Sequence, residues 1–226
     1  FLRFDPLLPC AAVNSLHINC GGHELTVGTK TYEADSDNAG PAMYKEGGSN
    51  LAFSNTGHFV DNSTSLLYTT KNATILYMTN TELYKNARIS PISLTYYGFC
   101  LENGKYKVKL HFAEIMFTDD STFSSLGRRV FDVYIQGSRV LKDFNIANEA
   151  GGVGKEIIRE FIAYVNRNDL EIRFYWAGKG TMYIPYKSIY GPLISAISVH
   201  KGVLSSLNFN YFVVSFMELL THVALV

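Results

Sequence analysis

Residues 105–137 contain two alternating runs that fix the class of fold this chain can adopt. In KYKVKLHFAEIMF, Tyr106, Val108, Leu110 and Phe112 share one parity, while Lys105, Lys107, Lys109 and His111 share the other. A period of two marks a β-strand with one buried face and one wet face. In RRVFDVYIQG the pattern recurs, with Phe131, Val133 and Ile135 predicted inward and Asp132, Tyr134 and Gln136 outward.

Other segments read the same way. Residues 15–19 (SLHIN) form a predicted strand that ends at Gly21-Gly22. Residues 73–78, 92–99, 157–165, 170–176 and 193–199 are further strand candidates, and Gly151, Gly152 and Gly154 break the chain before the third of these. Residues 35–65, rich in Gly, Asn and Asp, read as long loops. Many short strands, few helix signals and Gly-rich connections predict an all-β, jelly-roll-like β-sandwich.

With 226 residues, 47% hydrophobic, and 15 Tyr and 15 Phe, the chain has the material for one large all-β core. Its 20 basic and 20 acidic residues cancel, and no basic patch stands out along the sequence, so a nucleic-acid partner has no support. The chain opens FLRFD without an initiator Met, which suggests a processed or partial sequence.

Cys10, Cys20 and Cys100 fit no zinc spacing. They are either idle thiols or include an extracellular disulfide, with Cys20–Cys100 the favoured pair, and redox context decides between these. Two sequons, at Asn62 and Asn72, would suit a secreted glycoprotein. Sixteen Asn in a chain with 33 Ser and Thr give about two sequons by chance, so they do not establish secretion alone.

Residues 203–226 are mostly apolar and long enough to span a bilayer. Asn208, Asn210, Glu218 and His222 interrupt them at a cost that favours a packed or poorly ordered extension, or the aberrant end of a truncated product, over a membrane span. The chain therefore divides into a linker (1–14), one domain (15–199) and an atypical apolar tail (200–226).

Patterns that carry chemistry fall short. Asp35, Asp37, Gly40 and Glu46 match part of a calcium-loop spacing, but Ala39 supplies no ligand and Pro41 follows the glycine, which leaves a solvated acidic loop. Gly151-Gly152-Val153-Gly154-Lys155 lacks the residues of a phosphate loop. Glu114, Asp119 and Asp120 are the only carboxylates grouped as glycoside hydrolysis would need them, and they read as solvated. No kinase catalytic loop or serine-nucleophile elbow is present, so the chain is expected to be non-catalytic, without cofactor or metal.

Three phrases in order carry a family resemblance: Leu16-His17-Ile18-Asn19-Cys20-Gly21-Gly22, Leu110-His111-Phe112-Ala113-Glu114-Ile115, and Arg129-Val130-Phe131-Asp132-Val133-Tyr134-Ile135-Gln136-Gly137. Shorter phrases around Gly57, Arg88, Asp143 and Tyr190 support them. Over residues 15–199 the chain resembles a malectin domain, above all that of plant leucine-rich-repeat receptor-like serine/threonine kinases. The resemblance implies a galactose-binding type of β-sandwich on the extracellular side of the plasma membrane or in the secretory pathway. It also implies a carbohydrate or cell-surface protein as partner. Membrane association would come through a parent receptor or the tail.

In the malectin lectin, aromatic side chains grip the sugar and a polar group takes its hydroxyls. Its Tyr-Phe pair corresponds here to Met116-Phe117, one further Tyr to about Ile89, and its Asp to the Tyr190-Gly191 region. Phe117, Met116, Glu114, Asp119 and Tyr190 are thus the expected ligand-binding residues, in a site whose sugar contacts are mostly replaced.

Overall fold

The computed structural model describes residues 11–48, 50–59, 68–72, 75–118, 120, 122–184 and 190–202. In chain order its strands are β1 (Ser15–Cys20), β2 (Leu25–Val27), β3 (Lys30–Asp35), β4 (Ala42–Gly47), β5 (Leu51–Thr56), β6 (Thr69–Lys71), β7 (Asn86–Ile89), β8 (Ser93–Gly98), β9 (Gly104–Ala113), β10 (Arg129–Ile135), β11 (Ser138–Phe144), β12 (Glu156–Val165), β13 (Leu170–Gly180), β14 (Leu193–Ile194) and β15 (Ala196–Lys201). One short helix, α1 (Ile146–Ala150), links β11 to β12. One sheet runs β12-β9-β15-β1-β3-β2 and the other β11-β10-β13-β8-β5-β4, while β14-β7-β6 form a small third sheet.

The alternation in the sequence explains how the two large sheets meet. Tyr106, Val108, Leu110 and Phe112 of β9 are fully buried, as are Phe131 and Val133 of β10. Phe112 lies with its ring centroid 6.0 Å from Phe131, 4.9 Å from Phe144 and 6.2 Å from Phe174. These rings come from opposite sheets and form the centre of the core. The β-sandwich expected from the sequence is the observed fold.

Two expectations fail for physical reasons. Residues 35–65 are not simply loops, because β4 and β5 form a hairpin and β5 pairs with β8 inside the second sheet. Leu51, Ala52 and Phe53 are all buried, so covering both faces of β5 erases the alternation that marks a strand. Residues 75–78 form no strand, and the Tyr77 amide donates instead to the Gly154 carbonyl at 2.8 Å.

The stretch read as a solvated acidic loop begins on a buried ion pair. Asp35 accepts from Arg88 Nε and Nη2 at 2.7 Å each, from the Tyr96 hydroxyl at 2.5 Å and from the Gly21 amide at 3.3 Å. Burial pushes its carboxyl up, against the pull of Arg88 and the other donors. Arg88 also lies 4.1 Å from the centroid of the Phe53 ring.

The cysteines correct a further expectation. Cys20 is a free thiol, fully buried, while Cys100 is disulfide-bonded, so the Cys20–Cys100 pair does not form. The reason is register. The Val13 amide donates to the Cys100 carbonyl at 2.9 Å, which places Cys100 near the start of β1, whereas Cys20 ends that strand. Seven residues of extended chain span about 20 Å, far beyond the ~6 Å between α-carbons that a disulfide tolerates. Burial beside Asp35 pushes the Cys20 thiol up. Alkylation of the denatured, non-reduced protein should therefore label Cys20 and leave Cys100 protected, as peptide mapping will read.

On the outer face of the first sheet lies a histidine network. The Tyr84 hydroxyl is 3.2 Å from His111 Nδ1, and Ser198 Oγ is 3.1 Å from His111 Nε2. Burial, together with Lys109 and Lys30, holds His111 down at about 4, and burial with His200 and Lys30 does the same for His17. An unfolded histidine binds its proton near pH 6.5. The unfolded chain thus protonates first, and stability that is complete above that pH drains away as pH falls toward 4. His111 alone accounts for about 3 kcal/mol of this. The thermal midpoint should drop through this window, and His111→Gln should flatten the profile.

Candidate functional site

The end of β9 and the start of β10 build the region where a ligand site was expected. Glu114 and Arg129 fall on the inward parity of their strands, so each carries a charge into the sandwich. They meet there. Glu114 is 1% exposed and Arg129 2%. Arg129 Nε donates to Glu114 Oε2 at 2.8 Å, and its Nη1 donates to the Gly191 carbonyl at 2.8 Å. Glu114 Oε1 accepts from the Met116 amide at 3.1 Å, which sets the direction of the loop that follows.

That loop folds back over the arginine. The Arg129 guanidinium lies 5.3 Å from the Phe117 ring centroid and 3.3 Å, at Nη2, from Met116 Sδ. Gly127 also lies against the ring, where a Cβ would sit 2.6 Å from it. Gly191 adopts φ +78°, and a Cβ there would meet the Ser90 carbonyl at 2.1 Å. Glycine at both positions is therefore a packing requirement.

The structure thus brings Glu114, Met116 and Phe117 together around Arg129, a residue that the sequence reading overlooked. Tyr190 goes elsewhere: its hydroxyl donates to the His58 carbonyl at 3.3 Å, and its ring packs against Trp176 and Phe59. Asp119 and Asn62 lie outside the described residues. Asn72 is half-buried just after β6, its amide donating to the Lys85 carbonyl. Glu114 has both oxygens engaged within the protein, and neither it nor Tyr190 presents an open surface. Among the described residues no group of three or more His, Cys, Asp or Glu side chains is placed to hold a metal ion. Nor is any described helix long and apolar enough to cross a membrane. The tail from residue 203 lies outside the described residues.

An open cleft of about 330 Å³ lies beside the loop. Phe117 lines one wall together with Thr118, Ser125 and Arg128. The opposite wall is the end of α1 and the glycines after it, including Asn148. The Asn145 side chain caps α1 by accepting from the Asn148 amide at 3.0 Å, and Gly151, with φ +71°, turns the chain at its other end. Arg128 Nη1 donates to the Gly127 carbonyl at 2.8 Å, which holds this cation at the rim. Thr118 donates to Asp120 Oδ1 at 3.0 Å. A one-turn helix at Phe123–Leu126 exposes Phe123 (59%) and Leu126 (54%) next to the cleft. Among the expected residues that are described, only Phe117 lines this space. The inward parity of Glu114 and Arg129 was a signal available in the sequence; the cleft brings together segments too far apart to leave one.

The profile of the malectin domain matches residues 14–197. The chain belongs to the malectin family. Two Arabidopsis thaliana proteins described as probable LRR receptor-like serine/threonine-protein kinases match this malectin domain at 50% identity over 194 residues and 46% over 196. These matches cover 83% and 85% of the chain, which spans only 19% of either relative. Among solved structures, the plant receptor-like kinase FER superposes with a TM-score of 0.53 at 16% identity, covering 85% of this chain and 50% of that one. A Bacteroides uniformis β-glucuronidase 2 superposes with a TM-score of 0.54 at 14% identity, covering 84% and 18%. At such identities these two likenesses bear on the fold alone.

Breaking the buried pair of the malectin domain should be costly. Arg129→Met or Glu114→Gln alone leaves the partner buried without its counterpart, an expected loss of about 3–5 kcal/mol. The double variant should lose less than the sum of the two, which urea unfolding of the three variants will read.

Proposed function

We propose that this malectin domain is a non-catalytic binding module from the extracellular part of a plant receptor-like kinase, and that it takes a carbohydrate in the cleft beside Phe117. The observation that carries the reading is the make-up of the cleft. At about 330 Å³ it is of a size for one or two sugar rings. Its walls combine the hydroxyls of Thr118 and Ser125, the Asn148 side chain and the Arg128 guanidinium, while the Phe117 ring that also lines it is only 2% exposed. Sugars present several hydroxyls, and this lining offers hydrogen-bond donors and acceptors to them.

In this reading the ligand contacts expected of Glu114, Met116 and Tyr190 pass to Ser125, Arg128 and Asn148, while Phe117 keeps its place. Glu114 and Met116 set the loop from behind. The setting is the cell surface, with glycosylation at Asn62 and Asn72 and with the parent receptor or the tail from residue 203 providing the membrane anchor. The family and the kinase relatives support that setting.

One observation favours a second reading, a protein-interaction module without sugar. Phe123 and Leu126 are exposed large apolar side chains beside the cleft, a composition typical of protein contacts. The FER receptor kinase has been solved in complex with the peptide RALF23 and with LLG2.

A glycan array with the purified chain separates the two. Carbohydrate binding is expected, weakened at least about tenfold by Asn148→Ala and by Arg128→Ala, the loss of a desolvated hydrogen bond or two. Binding to no glycan by folded protein, or binding indifferent to both variants, overturns the carbohydrate reading.

A further inference from the structure

The first sheet turns a second surface outward, made by residues that do not line the cleft, and its register places there what the sequence scatters. On β9 the outward residues are Lys105, Lys107, Lys109 and His111. Opposite them on β12 stand Tyr164, Ile162, Glu160 and Ile158. On the other flank of β9 stand His200 and Ser198 of β15, beside Ser15 and His17 of β1. Residues directly opposite in paired strands point to the same side, so all of these share one face, in which His111 and Ser198 are buried.

The charge on this face is lopsided. Its lysines meet one carboxylate, Glu160, which Lys109 approaches at 2.6 Å and Lys107 at 3.5 Å. Lys30 on β3 directs its ammonium to His200 Nε2 at 3.0 Å. Among the described residues no carboxylate pairs with Lys30 or Lys105. A chain of zero net charge thus carries a basic stripe that only folding assembles.

An apolar stripe flanks it. Ile158, Ile162 and Tyr164 are 40%, 49% and 66% exposed along the edge strand β12, and they alternate with half-buried or buried residues of the opposite parity. Three large apolar side chains on one edge, beside uncompensated lysines, form a mixed surface of the kind that marks an interaction site.

We propose that this outer face docks an acidic segment of a partner protein, with carboxylates over Lys30 and Lys105 and aliphatic side chains against Ile158, Ile162 and Tyr164. The apolar stripe selects this occupant. A uronic-acid polymer or a nucleic acid satisfies lysines but brings no aliphatic side chains to two exposed isoleucines, whereas a protein segment supplies both. Charge complementarity steers the encounter and sets specificity, and the apolar contacts slow release.

The test uses the full chain and fluorescence anisotropy with a labelled synthetic peptide of alternating glutamate and leucine, and poly-L-glutamate and polygalacturonate as competitors. Saturable binding that weakens as salt rises is expected. Lys30→Glu with Lys105→Glu should weaken it at least about tenfold, and Ile162→Ser with Tyr164→Ser should weaken it several-fold. Lys142→Glu on the opposite sheet and Asn148→Ala in the cleft should leave it unchanged, which also separates this site from the proposed sugar cleft. Circular dichroism verifies that each variant is folded. Unaltered binding by the lysine pair overturns the proposal. So does displacement by either polyanion as effective as by the unlabelled peptide, with no effect of the Ile162 and Tyr164 changes, since the face would then take polyanions in general.

Discussion

The ion pair between Glu114 and Arg129 holds the two halves of the sandwich in register at one end. Glu114 follows β9 in the first sheet, Arg129 opens β10 in the second, and the Gly191 carbonyl adds the chain that leads into β14. Burying a guanidinium and a carboxylate is expensive unless their remaining hydrogen-bonding atoms are satisfied. Here the Met116 amide, the Gly191 carbonyl and the Phe117 ring provide that satisfaction, and in doing so they fix the loop forming one wall of the cleft. Asp35 and Arg88 make a comparable connection among β3, β7 and, through Tyr96, β8. The geometry of the cleft is therefore a by-product of how the fold satisfies its internal charges.

That link changes what the family's sugar-contact positions mean in this chain. Glu114 is a carboxylate beside an aromatic ring, which in a sequence looks like a sugar contact, yet both of its oxygens are engaged within the protein. Residues that help form a cleft from behind and residues that touch a ligand occupy neighbouring positions and have similar chemistry. Burial separates them. Asn148 and Arg128, which are exposed at the cleft, belong to segments the sequence reading did not associate with a site.

How much was legible follows from how each strand is buried. β9 and β13 each have one wet face, so their parity shows directly in the sequence, and β10 keeps the same parity although Asp132 on its outer side is buried; the sandwich was readable from these three. β5 is covered on both sides and carries three buried residues in succession, so no period survives and its stretch read as loop. The cysteines failed differently: spacing along a chain says nothing about which end of a strand a residue occupies, and Cys20 and Cys100 lie toward opposite ends of β1. The outward lysines of β9 were visible as a row. Their partners Lys30, His200 and Ile162 came beside them only through pairings between distant strands.

The pairing of β1 with β15 has a mechanical consequence. Ser15 lies opposite His200, and the Lys201 amide donates to the Asn14 carbonyl at 2.8 Å, so the chain enters and leaves the domain at the same end of one antiparallel pair. Tension applied through those two points peels β1 from β15 one hydrogen bond at a time, because the load falls on the outermost bond first rather than being shared along the strands. Strands whose loaded ends lay at opposite ends of the pair would instead have to shear all their bonds together. A domain stretched in this way first strains the Val13 bonds to Cys100 and Glu102, then opens beside Lys30, Lys107 and His200, leaving the Glu114–Arg129 end for last.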